Sequence, residues 1–183
     1  MWRKKDKSLS PEEKRAAEYT TSEEFCAIFD RDKESLYTLA LMLTGDHEKA
    51  EQCFVNALED CLSAKVFRNW ERSWTRLAVI ERAMRMIKPL DSRTLQARDS
   101  ERMQDDRGLH PDGRSILKLT PFDRFVFVMS VLERYSVRDC AILLKCAWRE
   151  VQEARRRAIE FVANSTHHFV PVSTAASSLP QQI

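Results

Sequence analysis

Apolar residues recur along this chain at three- and four-residue intervals without sustained alternation, which is the period of helices rather than strands. Phe25, Ile28, Phe29, Leu36, Leu39, Ala40 and Leu43 form a first stripe. Ala50, Cys53, Phe54, Ala57, Leu58, Cys61 and Leu62 keep the rhythm without a miss. A less regular third stripe runs through Trp70, Trp74, Leu77, Met84 and Ile87, and a fourth through Phe122, Phe125, Val126, Met129 and Leu132. The pattern predicts an all-α fold. Helix starts are equally legible. Ser10-Pro11-Glu12-Glu13 combines a cap residue, a proline at the first helical position and a glutamate that closes a capping box. Thr21-Ser22-Glu23-Glu24 repeats the box, Thr120-Pro121-Phe122-Asp123 carries aspartate in place of the glutamate, and Ser136-Val137-Arg138-Asp139 is a further variant. Asp46 follows a turn at Thr44-Gly45 and can cap the next helix.

The periodicity breaks twice. Residues 89–113 run from Pro89 through a stretch dense in Arg, Asp and Ser to Pro111-Asp112-Gly113, and read as a linker. From Asn164 the chain reads as a disordered tail. The expected organisation is an N-terminal extension (1–21), a first small helical module (22–88), the linker (89–113), a second helical module (114–163) and the tail (164–183). Of 183 residues, 43% are apolar and 32% charged, enough for a packed core. With only Gly45, Gly108 and Gly113, the chain has no glycine-rich phosphate loop. No apolar run reaches membrane-spanning length, and the opening MWRKKDKSLS lacks the apolar stretch of a signal peptide, so a cytoplasmic protein without membrane contact is expected. Cys26, Cys53, Cys61, Cys140 and Cys146 are odd in number, form no C-x-x-C and fall on apolar stripes, so reduced core thiols are expected. His47, His110, His167 and His168 have no metal-ligand spacing. With no H-E-x-x-H and no nucleophile–base pair either, neither a cofactor nor an enzyme is expected.

Charge changes the picture. Residues 22–64 hold 3 basic and 10 acidic side chains, a net −7; residues 65–88 hold 7 and 2, a net +5; residues 114–163 hold 10 and 6, a net +4. Two basic blocks suit a polyanion that the acidic block would repel. The second basic block contains ERYSVRDCAILLKCAWREVQEARRRA, residues 133–158. Ser136 can cap a helix that buries Val137, Cys140, Ala141 and Leu144. After Lys145-Cys146-Ala147 the register changes, and Val151, Ala154, Ala158 and Val162 turn inward. Small residues at Ala141 and Ala154 let two helices cross closely. This is the grammar of a helix-turn-helix, whose second helix enters the major groove. Its outward face carries Arg149, Glu150, Gln152, Glu153, Arg155 and Arg156. Arginine can fork onto guanine or phosphate, and Gln can pair with adenine. A plain helical hairpin with solvated charges fits the same spacing.

From Leu119 to Ala158 the chain resembles the C-terminal domain, region four, of bacterial extracytoplasmic-function sigma factors. The likeness rests on LTPFDRFVFVM, ERYSVRDCAILLKC, Val151 and RRRA, with Leu119, Arg124, Asp139-Cys140-Ala141 and Arg157-Ala158 at the family's places. LALMLTGDHEKAEQCFVNAL resembles region two of the same family through Gly45-Asp46 and Ala50-Glu51, and Trp74 lies where the family's next helix often has tryptophan. The resemblance implies a non-enzymatic transcription initiation protein with two partners, core RNA polymerase and promoter DNA, and an anti-sigma factor as a regulatory partner. It implies that the outward residues Gln52, Val55, Asn56 and Glu59 dock on the polymerase. It assigns loop 63–69 and the helix after it to the melted promoter, with Lys65, Arg68, Arg72, Arg76 and Arg85 on phosphates and Phe67 and Trp70 as stacking candidates; Trp74 is assigned to the core. It assigns helix 148–163 to duplex DNA.

The chain also departs from the family. Gln52-Cys53-Phe54-Val55-Asn56 stands where the family has Asp-Leu-Val-Gln-Glu, which removes two carboxylates from the polymerase-facing surface. Ala147 stands where a capping Ser or Thr is usual, Glu150 replaces a threonine, and Glu153 replaces a serine. Glu153 can pair with Arg156 or Arg157 on the helix surface. These departures leave an alternative: a sigma-like interaction module that binds an anti-sigma factor or another regulator without initiating transcription. An unrelated helix-turn-helix regulator is a third reading, against which the Gly-Asp turn and Ala-Glu helix count.

Overall fold

The computed structural model describes residues 18–90 and 111–167, with side chains placed from Glu18 to Leu90 and from Gly113 to Ser165. The helix start at Ser10, most of the expected linker, His110, His168 and residues 168–183 lie outside the described residues. What is described is all-α. Helices α1 (Ser22–Arg31), α2 (Lys33–Thr44), α3 (His47–Ser63) and α4 (Glu71–Ile87) form the first half. Helices α5 (Pro111–Leu117), α6 (Pro121–Phe127), α7 (Val137–Leu144) and α8 (Trp148–His167) form the second, and α6 runs on into a π-helical turn, Val128–Leu132. Among the described residues there is no strand, only an isolated antiparallel bridge between Tyr19 and Phe67.

The starts expected from the sequence are built from the expected atoms. Thr21 Oγ1 accepts from the Glu24 amide at 3.3 Å, while the Thr21 amide donates to Glu24 Oε2 at 2.8 Å. Asp46 Oδ1 accepts from the Lys49 amide at 2.9 Å, and Thr120 Oγ1 from the Asp123 amide at 3.3 Å. Ser136 and Asp139 close a reciprocal box at the head of α7. Each bond satisfies a helix-terminal amide that would otherwise lack a partner.

Packing explains where the stripes fail. Helix α4 buries Thr75, Ala78, Val79, Ile80 and Ala83, whereas Trp70 and Trp74 face outward at 65% and 40% exposure. The assignment of Trp74 to the core is therefore corrected. Helix α3 meets α4 through Ala50, Cys53, Ala57 and Cys61, all fully buried, and Cys53 Sγ comes within 3.4 Å of the Val79 carbonyl oxygen. Burial pushes the Cys53 and Cys61 thiols up to about 12 and Cys140 to about 11, consistent with unreactive core thiols. Cys26, by contrast, is exposed, and Cys146 is half-buried. Leu62 is exposed at the last turn of α3, and Leu132 is exposed because the π turn adds a residue and rotates it off the α6 stripe. Two boundaries also move: α5 begins at Pro111, inside the expected linker, and α8 continues to His167, past the expected end at 163.

The two halves share one continuous apolar core. At their seam, buried Arg124 of α6 donates from Nη2 to the Thr44 carbonyl at 3.1 Å and from Nη1 to the Leu117 carbonyl at 3.3 Å. Both acceptors are helix C-terminal carbonyls, which carry partial negative charge and suit a cation. Burial lowers the Arg124 pKa to about 10, which leaves it charged at neutral pH. A second seam contact is the doubly hydrogen-bonded pair of Arg76 and Glu133, joined by a 3.0 Å bond from Arg76 to Ser35 Oγ.

Candidate nucleic-acid interface

Helices α7 and α8 meet across Lys145-Cys146-Ala147, with Lys145 in the left-handed region at φ 53°. Cys140, Ala141 and Leu144 of α7 are buried, as are Val151, Ala154 and Ala158 of α8, while Val137 and Val162 are half-buried. The inward stripes are those the spacing predicts. They direct Arg149, Gln152, Glu153, Arg155 and Arg156 to solvent.

The charged side chains of α8 divide by partner. Arg157 turns toward α6 and pairs with Asp123 at 2.6 Å, which raises its pKa and ties α8 to the core. Arg156 pairs with Glu160 at 2.8 Å, one turn away and exposed. Glu153 is thus not the hydrogen-bonded partner of either arginine. Glu150 is half-buried, and its carboxylate accepts from the Ala147 amide at 2.8 Å. It supplies one arm of a capping box whose other arm Ala147, lacking an oxygen, cannot supply. Arg149 lies over the Trp148 ring, its guanidinium carbon 5.5 Å from the centroid, a cation–π contact.

In the first half, an aromatic and basic surface surrounds the loop between α3 and α4. The Phe67 and Tyr19 rings stack at 4.9 Å, held by backbone bonds from Thr20 to Val66 and from Arg68 to Glu18. Phe67, Trp70 and Trp74 are all exposed, interleaved with exposed Lys65, Arg68 and Arg72. Aromatic faces among cations are what single-stranded nucleic acid stacks on. Arg68 pairs with Glu24 at 3.1 Å. Arg85 pairs with Glu81 at 3.2 Å and lies 3.8 Å from Asp60, whose main partner is Arg82. The Arg82 guanidinium holds the Asp60 carboxyl below the usual carboxylate range. Arg76 faces the seam, on Glu133, rather than this surface.

The outward side of α3 carries exposed Glu48, Glu51, Gln52, Val55 and Glu59, with Asn56 half-buried and Val55 53% exposed. Gln52 donates to Glu48 at 3.4 Å. Three side chains missed in the sequence belong to these surfaces. Trp148 leads α8 off its inward stripe, a signal that was readable. Trp74 depended on which row of α4 turns inward, and Tyr19 depended on a chain segment that pairs with a distant loop. Among the described residues no group of three or more His, Cys, Asp or Glu could hold a metal ion, and no helix is long and apolar enough to cross a membrane. No protein-family model matches the chain, and no curated protein has significant similarity to it.

Proposed function

We propose that the chain is a sigma factor-like transcription initiation protein that binds core RNA polymerase and promoter DNA in the cytoplasm. The observation that carries this reading is the α7–α8 pair, read as a helix-turn-helix. Its second helix buries Val151, Ala154 and Ala158 and offers Arg149, Gln152, Arg155 and Arg156 along the solvent side. That is the arrangement a helix needs to enter the major groove. The surface of Lys65, Phe67, Arg68, Trp70, Arg72 and Trp74 suits the melted strand, and the acidic side of α3 suits the polymerase, since it would repel DNA. The reading assigns no catalytic step.

The test is a pull-down of core polymerase with the purified chain, paired with duplex-binding titrations at several salt concentrations. Retention of polymerase and salt-dependent duplex binding are expected, with Arg156→Ala weakening binding and flattening the salt dependence. Failure to bind polymerase removes the reading. An unchanged salt slope removes Arg156 from the contacts.

A second reading is a sigma-like interaction module that binds an anti-sigma factor or another regulator and starts no transcripts. Arg68, Arg76 and Arg85 already hold carboxylates, and Val55 and Leu62 leave apolar surface on α3. Polymerase binding without transcripts from any promoter would favour it.

A further inference from the structure

The leading end of α8 presents two side chains that act on one another. Trp148 is the first residue of the helix, is 52% exposed, and stands apart from the buried stripe of Val151, Ala154 and Ala158. Its indole contributes little to the core, yet the Arg149 guanidinium rests over it. An arginine on a helix surface normally samples many rotamers, and ordering it on a base has an entropic cost. An aromatic face beneath the guanidinium reduces that freedom and leaves its N–H donors available, because cation–π stacking uses the plane and not the donors. The adjacent carboxylate, Glu150, accepts from the Ala147 amide, and Glu153, exposed one turn along, is the carboxylate within helical reach of the fork. In a helix that enters the major groove, the first residues are the ones that reach base edges.

Resting on the duplex-binding reading above, we propose that Trp148 is a positioning residue that holds Arg149 for recognition of one guanine in the upstream promoter duplex. Arg149 donates its fork to O6 and N7 of that guanine, and the indole holds the fork in the plane of the base. Arg155 and Arg156, further along the helix, serve the backbone phosphates, so sequence choice is concentrated at the helix's leading end.

The test selects binding sites for the full chain from a randomised duplex library, then measures affinity and salt slope for four variants. The unaltered chain should enrich a site with one strongly preferred guanine. Arg149→Ala should reduce discrimination at that position by roughly ten- to a hundred-fold while other positions stay sharp. Trp148→Ala should loosen the same position by a smaller factor with the salt slope and melting temperature unchanged, and Trp148→Phe should restore most of it. Arg155→Ala should weaken all sequences alike and lower the salt slope by about one. If Trp148→Ala leaves every position as sharp as before, or weakens all sequences equally with a reduced slope, the positioning role is wrong although duplex binding stands. If the unaltered chain binds no duplex at all, the duplex reading fails and this inference fails with it.

Discussion

Gly45 sits at the end of α2 with φ 72°, and an added Cβ would lie 2.6 Å from Arg124 Nη1. Two demands meet there: a left-handed turn and the close approach of a buried cation. Gly45→Ala should therefore lower stability by about 1–2 kcal/mol from the backbone conformation alone, and displace Arg124 as well. A thermal melt reads the loss, which Arg124→Lys, lacking the second fork, should share in part. Asp60 is a pH test. Its folded pKa is depressed by Arg82, so its contribution is complete above the unfolded value and is lost as pH falls through the folded value. Asp60→Asn should melt below the unaltered chain at pH 7, with the gap holding to about pH 5 and closing below the ordinary aspartate range near 3.9. A gap that persisted at pH 2 would show that Asp60 acts by shape rather than charge.

Helix ends were the most legible feature of the sequence, because a cap is a local interaction between residues three apart. Thr21, Asp46, Thr120 and Ser136 all accept the amides their spacing implies. Ser136→Ala should cost about 0.5–2 kcal/mol and expose the head of α7 to faster amide exchange. The converse change is informative at α8, where Ala147→Ser would complete the box that Glu150 half builds. A gain of several tenths of a kcal/mol to about 1 kcal/mol is expected, with no change if Glu150 alone satisfies the end. Faces were legible where the apolar stripe is regular, as in the large side chains of α6 and the Val151, Ala154 and Ala158 row of α8. They were not legible on α4, which buries Thr75, Ala78, Val79, Ile80 and Ala83 and leaves Trp70 and Trp74 outward. Leu132 escaped because a π turn has no signature in a three-four pattern.

What a linear reading could not supply is the way the halves meet. Arg124 and Thr44 are far apart in sequence, as are Arg76 and Glu133, and only the folded chain joins them. The sigma-factor resemblance places Arg76 among the phosphate contacts, yet Glu133, nearly buried, claims it. Glu133→Gln should cost about 1–3 kcal/mol, because a buried partner of a cation is replaced by a weaker one. If the melting temperature is unmoved, the seam is held by its apolar contacts. The site candidates on α8 were legible because one continuous inward stripe fixes the opposite face. Those on the first half were partly obscured by ion pairs between distant residues. In the proposed function, cationic faces of one helical body guide polymerase to DNA. Run-off transcription with core polymerase, a promoter library, and either the unaltered chain or an Arg149, Arg155 and Arg156 triple-alanine variant tests this most directly. Defined transcripts that require the chain and vanish with the triple variant are predicted. Transcripts that are absent with the unaltered chain, or that persist with the variant, would contradict it.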